Sequence, residues 1–185
     1  MDNLDTSIKD LSIEAERKLA RTFMGRIEWE MILIGIGQFT VWLTTWALVI
    51  QGFVPLWLGS IVVIFSTCCA YLPSHAGQHG HLSGGRKNLK WLDSLVGHIT
   101  LIPLAQSHDI LKATHLKHHA HTNDPERDPD YFHTHVNSWF ECAKNINDQY
   151  SPNGRIIGIV EKLSEEDPKF SETLEKGSAV IFIYY

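Results

Sequence analysis

The chain has 185 residues, a length typical of one domain or part of a larger one, and a formal net charge of −5 at pH 7. This acidic balance lacks the electrostatic footprint of a nucleic-acid-binding protein, so we predict no nucleic-acid partner. The three cysteines, two of them adjacent in an apolar run, form no plausible disulfide framework.

The first thirty residues are charged and mildly amphipathic, and they begin MDNLD without the basic start of a secretory signal. Apolar side chains recur at helical spacing from Leu11 to Ile27. Two interpretations of residues 1–30 stay open: a helix lying on the membrane surface, and a tail in the cytoplasm.

Two long uncharged runs follow, residues 31–50 and 53–72, separated by Gln51-Gly52. A helix of this length extends about 30 Å, enough to cross the hydrocarbon core of a bilayer. The alternative is a pair of buried core helices in a soluble protein, and two such runs in succession weaken it. We therefore predict a transmembrane hairpin over residues 31–72.

Lysine and arginine are absent from the short turn between the runs and present on both flanks. The flanking cations are Lys9, Arg17, Lys18, Arg21 and Arg26 before the hairpin, and Arg86, Lys87, Lys90, Lys112 and Lys117 after it. By the positive-inside rule both flanks are cytoplasmic. The residues after the hairpin are thus expected to face a compartment that keeps thiols reduced.

Histidines concentrate in two short stretches after the hairpin. In HAGQH (75–79), His75 and His79 share a helical face if the second run continues as a helix. In HLKHH (115–119), His115, His118 and His119 stand at i, i+3 and i+4 and also share a face. Neutral imidazole suits iron, zinc, copper and nickel, so the two stretches together predict a metal site.

The stretch between them, residues 91–106, is apolar but too short to span a membrane. We expect a helix that lies in the interface or packs beneath the bundle, with His98 in an interfacial or hydrogen-bonding role. His108 stands seven residues before His115, which places it about 20° off the same helical line.

The order of HAGQH and HLKHH after a membrane hairpin, followed by TNDPERDPD (122–130), resembles the first two histidine boxes of the membrane fatty acid desaturase superfamily. The resemblance covers roughly residues 31–135. It implies an all-α integral membrane helical bundle with cytoplasmic histidine-bearing helices. It also implies an oxidoreductase that uses O2 and a non-haem di-iron centre to introduce a double bond into a lipid acyl chain. Carried over by position, the implied metal ligands are His75, His79, His115, His118 and His119.

The remaining histidines match no ligand position as firmly. We expect supporting or structural roles for His81, His108 and His121, and solvent exposure for His133 and His135. Carboxylates such as Asp109, Asp128 and Asp130 are expected to orient imidazoles. The chain has neither a G-x-G-x-x-G fingerprint nor a cysteine cluster, so we expect an external electron donor, a ferredoxin or a cytochrome with its reductase.

The resemblance also implies a third histidine box after a second hairpin, and no histidine follows His135. Residues 73–135 form the predicted histidine-box region, residues 136–176 a polar cytoplasmic segment, and residues 177–185 (GSAVIFIYY) an apolar run. We expect an N-terminal fragment, truncated at the start of a third transmembrane helix. Such a fragment alone holds an incomplete metal site and is expected to be inactive.

Other functions are compatible with the two boxes. Within the superfamily these are a carotenoid ketolase or hydroxylase and an alkane hydroxylase. Outside it they are a membrane zinc enzyme or metal-transport module, and an inactive membrane remnant. Zincin-type hydrolysis needs the glutamate of H-E-x-x-H, and neither box contains one.

Overall fold

The structure is a computed structural model that describes residues 13–149, 151 and 153–184, apart from the side chains of His133, Thr134, Gln149, Ile183 and Tyr184. Within this part of the chain every regular element is a helix. The α-helices are α1 (Ile13–Phe23), α2 (Trp29–Ile50), α3 (Leu56–Cys68), α4 (Tyr71–Gln78), α5 (Lys90–Leu101), α6 (His108–His121), α7 (Tyr131–Thr134), α8 (Trp139–Gln149), α9 (Arg155–Glu166) and α10 (Pro168–Tyr184). The predicted all-α class is confirmed.

Helices α2 and α3 form an antiparallel hairpin. The turn between them runs from Gln51 to Pro55 and is longer than the two residues predicted, and Pro55 directly precedes α3. The hydroxyl of Ser66, near the end of α3, donates to the backbone carbonyl of Gln38, near the middle of α2, at 2.7 Å. Trp29–Ile50 and Leu56–Gln78 are long and apolar enough to cross a membrane. The second of these extends six residues beyond the predicted end at Leu72 and takes in α4.

The hairpin turns most of its apolar surface outward. In the most apolar part of each span, only 22% of the first and 17% of the second is buried inside the protein. The exposed fraction is 66% for Leu33, 61% for Ile64 and 71% for Phe65. Core helices of a soluble protein would bury these side chains, whereas lipid solvates them. The exposure favours the membrane hairpin over the soluble alternative.

Helices α4 and α5 pack against each other and against the first half of α2. Their shared apolar cluster contains Ile32, Ala76, Leu82 and Val96. The interior around this cluster is unusually polar, because Ser74, Gln78, Asp93, Thr100 and His108 are all buried. Helix α5 keeps Trp91 and Leu95 exposed, and both predicted placements, in the interface or beneath the bundle, stay predictions.

The segment from 136 to 176, predicted only as polar, folds into helices α8 and α9 and the first part of α10. Ile159, Leu163 and Phe170 form a small apolar cluster there. Three ion pairs join this segment to the second histidine box and to the residues that follow the box. Lys117 Nζ lies 2.8 Å from Asp167 Oδ2, Lys162 Nζ lies 3.0 Å from Glu126 Oε2, and Arg127 pairs with Glu166. The apolar residues 177–184 continue α10 without a break.

Two predictions fall partly outside the described residues. Residues 1–12 of the N-terminal segment lie outside them, whereas α1 covers part of the rest with no buried side chain. The side chain of His133, which was expected to be exposed to solvent, also lies outside them. The choice between an interfacial helix and a cytoplasmic tail therefore stays a prediction.

Candidate metal centre

The first histidine box lies at the end of the second apolar span. His75 is on α4, and His79 follows its last residue, so the two side chains are one helical turn apart. Their ring centroids are separated by 4.8 Å. The predicted continuation of the helix beyond Leu72 is confirmed, and it places both imidazoles on one side of α4.

The second histidine box forms the last turns of α6. Ser107 caps the start of this helix, its hydroxyl accepting a hydrogen bond from the backbone N–H of Ile110 at 3.5 Å. The helix ends at His121, before Thr122 and the turn that contains Pro125. His115, His118 and His119 therefore share the face that the sequence predicts.

The two boxes meet through their imidazole nitrogens. His115 Nε2 lies 2.9 Å from His79 Nε2 and 3.0 Å from His119 Nε2. The ring of His75 lies 4.6 Å from that of His115. One ring nitrogen from each of His75, His79 and His115 lies within 4.8 Å of the other two. Four of the five predicted ligands thus converge, and His115 lies at the centre of the group.

Burial and crowding favour the neutral form of His79 and His115. Burial lowers the pKa of His79, with further lowering by the neighbouring rings of His75, His81 and His119. Burial, and then the same crowding, lowers the pKa of His115 to about 4. A neutral imidazole keeps a lone pair on one ring nitrogen, which is the form that binds a metal cation.

The fifth predicted ligand, His118, forms a hydrogen bond with a carboxylate. Its Nδ1 donates to Oδ1 of Asp128 at 2.7 Å. Asp128 is fully buried and also accepts the backbone N–H groups of Asn123 and Asp130 at 2.9 and 2.8 Å. This arrangement leaves Nε2 of His118 available for a cation, because Nδ1 carries the proton. Asp128 and, more distantly, Asp130 at 4.0 Å approach this imidazole as predicted.

Of the supporting residues, His81 stacks on His79 with ring centroids 5.2 Å apart. Asp109 pairs with Nε2 of His98 at 3.5 Å, so its partner is an imidazole outside both boxes. The hydrogen bond from His98 lowers the pKa of Asp109 by more than burial raises it, so the net direction is downward. His135 is exposed and stacks on Tyr131 at 4.1 Å.

His108 is buried away from the cluster, among three helices. Its Nδ1 lies 3.3 Å from the hydroxyl of Ser74 on α4. Its ring packs so closely on Gly97 of α5 that a Cβ at this position would overlap it. Burial, and then the neighbouring His98, lowers the pKa of His108 to about 4. Its Nε2 has no hydrogen-bond partner within the described part of the chain.

Sequence reasoning did not identify the partners of His108. Ser74 directly precedes the first box and Gln78 lies within it; both are buried, and Gln78 Nε2 donates to the Ser74 hydroxyl at 3.4 Å. Both residues could have been singled out from the sequence, because a polar residue at the end of an apolar helix needs a hydrogen-bond partner when it is buried. Which partner it finds depends on how α4, α5 and α6 cross.

The donor set fits iron. Nitrogen atoms of neutral imidazoles converge from two helices, and a buried carboxylate orients one ring through a hydrogen bond, as is usual around histidine-bound metals. The residues that could hold the metal are His75, His79, His115, His118 and His119.

Comparison with known proteins agrees with the geometry. No curated protein and no solved structure gave a significant match. The family model described as fatty acid desaturase matches residues 51–153, which is more than half of the chain and includes both histidine boxes. The chain belongs to the fatty acid desaturase family, whose members use di-iron.

Proposed function

We propose that this protein is a fatty acid desaturase-like oxidoreductase that uses O2 and two non-haem iron ions to introduce a double bond into a lipid acyl chain. The observation that carries the proposal is the convergence of imidazole nitrogens at the end of an apolar hairpin. His115 Nε2 lies 2.9 Å from His79 Nε2 and 3.0 Å from His119 Nε2. Family membership supports the reaction class.

Each part of the site has a role in this proposal. The five box histidines hold the metal, and desolvation keeps His79 and His115 in the neutral form that binds it. Asp128 fixes the orientation and the proton of His118. Bound iron supplies the electron-transfer chemistry with O2 that amino-acid side chains lack.

The membrane hairpin explains how a water-insoluble chain reaches the site. Trp29–Ile50 and Leu56–Gln78 lie in the bilayer, and His79 follows directly after the second span. In this proposal both ends of the hairpin are cytoplasmic. Reporter fusions at Lys9 and Lys90 should both report the cytoplasm, and opposite sides for the two would contradict the hairpin.

The reaction needs electrons from outside. Removing two hydrogen atoms from an acyl chain while reducing O2 to two water molecules takes up two further electrons and two protons. The proposed donor is a ferredoxin, or a cytochrome with its reductase. Turnover of the purified protein with a reduced nicotinamide alone would contradict this part of the proposal.

The decisive experiment measures metal and product together. The purified full-length protein should contain iron in preference to zinc, and membranes that contain it should gain unsaturated acyl chains when O2 and the reduced donor are supplied. An alcohol or ketone as the main product would assign the chain to the hydroxylase or ketolase alternatives. Zinc in place of iron, or iron-loaded protein without oxidised product, would contradict the desaturase proposal.

A further inference from the structure

His108 is a buried polar residue that the proposed metal binding does not use. It is the first residue of α6 and lies outside both histidine boxes, yet it is only 1% exposed. Its Nδ1 lies 3.3 Å from the hydroxyl of Ser74 on α4. A Cβ added at Gly97 of α5 would lie 2.2 Å from the same nitrogen, so the ring occupies the space that this glycine leaves. His108 therefore contacts both neighbouring helices at once.

A short chain of hydrogen bonds fixes the protonation of this ring. Gln78 Nε2 donates to the hydroxyl oxygen of Ser74 at 3.4 Å. The Ser74 hydroxyl then donates its own hydrogen to Nδ1 of His108, which places the imidazole proton on Nε2. Burial, and then the neighbouring His98, lowers the pKa of His108 to about 4, so the neutral ring is the form present at neutral pH.

The arrangement around His108 is not the most stable one that this interior could hold. Within the described part of the chain, Nε2 of His108 and Oε1 of Gln78 are both buried without a hydrogen-bond partner. A buried polar atom of this kind carries a desolvation penalty. An apolar side chain of similar size at position 108 would avoid the penalty on Nε2. Stability alone therefore does not explain a histidine at this position.

Two contacts, in the same order along both helices, join α4 and its end to α6. Ser74 directly precedes the first box and contacts His108. His115 contacts His79, the last histidine of the first box. His115 stands two turns after His108, about 10 Å along the helix axis and about 20° off the same line. Because the contacts are separated along the helices, together they fix both the sliding and the rotation of α6 relative to α4.

We propose that His108 is a positioning residue, whose hydrogen bond with Ser74 holds α6 against α4 at the separation that lets both histidine boxes bind metal together. The inference deepens the proposed function, and it rests on that function for the role of the boxes as metal ligands. It depends neither on the identity of the lipid substrate nor on turnover.

The test compares two replacements of His108 that differ in one polar group. H108N keeps a polar atom near the position of Nδ1, whereas H108L has a side chain of similar shape without one. The purified full chain, prepared without a histidine tag, receives substoichiometric Cu²⁺, a cation that imidazole binds strongly. Its electron paramagnetic resonance spectrum reports the number of nitrogen ligands, and a titration reports the affinity.

The expected results follow from the loss of the contact with Ser74. The wild type should give a single spectrum, which both H79A and H115A change. H108L should bind Cu²⁺ at least about tenfold more weakly, as is usual when a residue that orients metal ligands is removed, and its spectrum should show fewer nitrogen ligands. H108N should restore the single spectrum, with an affinity between those of H108L and the wild type.

Ser74 provides an independent variant. S74A removes the partner and keeps the ring, so it should reproduce the spectrum of H108L, and S74A/H108L should bind no more weakly than the weaker single variant. The matched control is T100A on α5. It removes a buried hydroxyl whose partners are the backbone carbonyls of Val96 and Gly97 in its own helix, and it should change neither the spectrum nor the affinity.

Unfolding midpoints of the same preparations separate positioning from stability. A merely structural role would lower the midpoint of H108L and leave the spectrum of the folded protein unchanged, which would overturn the proposal. Additive losses of affinity in S74A/H108L, or equal losses in H108N and H108L, would also overturn it. If H108L does not fold, S74A carries the test.

Failure of the proposed function gives a different result. A wild-type spectrum that neither H79A nor H115A changes would contradict the metal centre, and with it both the proposed function and this inference. Full-length protein that oxidises no lipid, although its Cu²⁺ spectrum depends on His108 and Ser74, would contradict only the proposed function. Lipid oxidation by a protein whose spectrum ignores both residues would contradict only this inference.

Discussion

The membrane hairpin and the histidine-box region follow opposite packing rules. The hairpin turns apolar side chains outward, with Ile64 61% and Phe65 71% exposed. The box region buries polar groups instead, including Ser74, Asp128 and His108 at 1% exposure or less. Lipid solvates the first set without any specific partner, whereas each member of the second set needs a partner in a fixed place. Small substitutions should therefore matter far more in the box region.

The largest expected effect is at the centre of the histidine cluster. H115A removes the ring whose Nε2 contacts those of both His79 and His119. In the full-length protein it should abolish lipid oxidation and strongly reduce bound iron, while the hairpin still inserts because its apolar spans are unchanged. Iron per chain and product formation are the measurements.

The matched control for H115A is H135A, on an exposed histidine that stacks on Tyr131. It should keep most of the iron and activity. Full iron binding by H115A together with loss in H135A would place the metal elsewhere.

The second prediction compares one glycine from each region. In G97A the new methyl group overlaps the ring of His108, and overpacking of this kind costs about 1 to 3 kcal/mol of folding free energy. In G37A the methyl group meets nothing within 4 Å on the hairpin, so stability should hold or rise slightly. Thermal unfolding in the same detergent checks both, and equal effects of the two substitutions would remove the contrast between the regions.

The third prediction concerns the carboxylate behind His118. D128N replaces one oxygen of a carboxylate whose two oxygens together accept the imidazole and two backbone N–H groups. Losses of about 10- to 100-fold in metal affinity are usual for such partners. D130N, 4.0 Å from the same ring, should change affinity much less. Iron titration of the two variants is the measurement, and equal affinities would mean that Asp128 does not support the site.

The fourth prediction is a pH dependence of the metal-free protein. The pKa of His108 is about 4 in the folded protein and 6.5 in an ordinary environment, so the unfolded chain binds more protons between these values. The stabilisation from neutral His108 is complete above pH 6.5 and is lost as the pH falls towards 4. Between pH 7.5 and 5.5 the contribution of His108 to the free energy of unfolding should fall by about 1 kcal/mol.

Unfolding midpoints of the wild type and H108N at the two pH values isolate the contribution of this ring. His115, whose pKa is also lowered to about 4, adds to the pH dependence of both proteins and cancels in the comparison. H108N should show the shallower dependence and only a partial loss of iron. The same dependence in both proteins would show that His108 is not a buried neutral group.

Much of this arrangement could be predicted from local properties of the sequence. Two uncharged runs predict the hairpin because length and hydropathy alone decide whether a helix can cross a bilayer. The spacing of the two boxes places His75 with His79, and His115 with His118 and His119, because helical periodicity is a property of neighbouring residues. The family match over residues 51–153 rests on the same local patterns.

Tertiary structure decided which separate segments meet. The hydroxyl of Ser74 contacts His108, which is 34 residues later in the chain, and Asp109 pairs with His98. Lys117 pairs with Asp167 in the segment predicted only as polar. Such contacts depend on how helices cross, and no periodicity within one segment encodes them. For the same reason the close approach of Gly84 to the backbone of Arg26, 58 residues earlier in the chain, could not be predicted from the sequence.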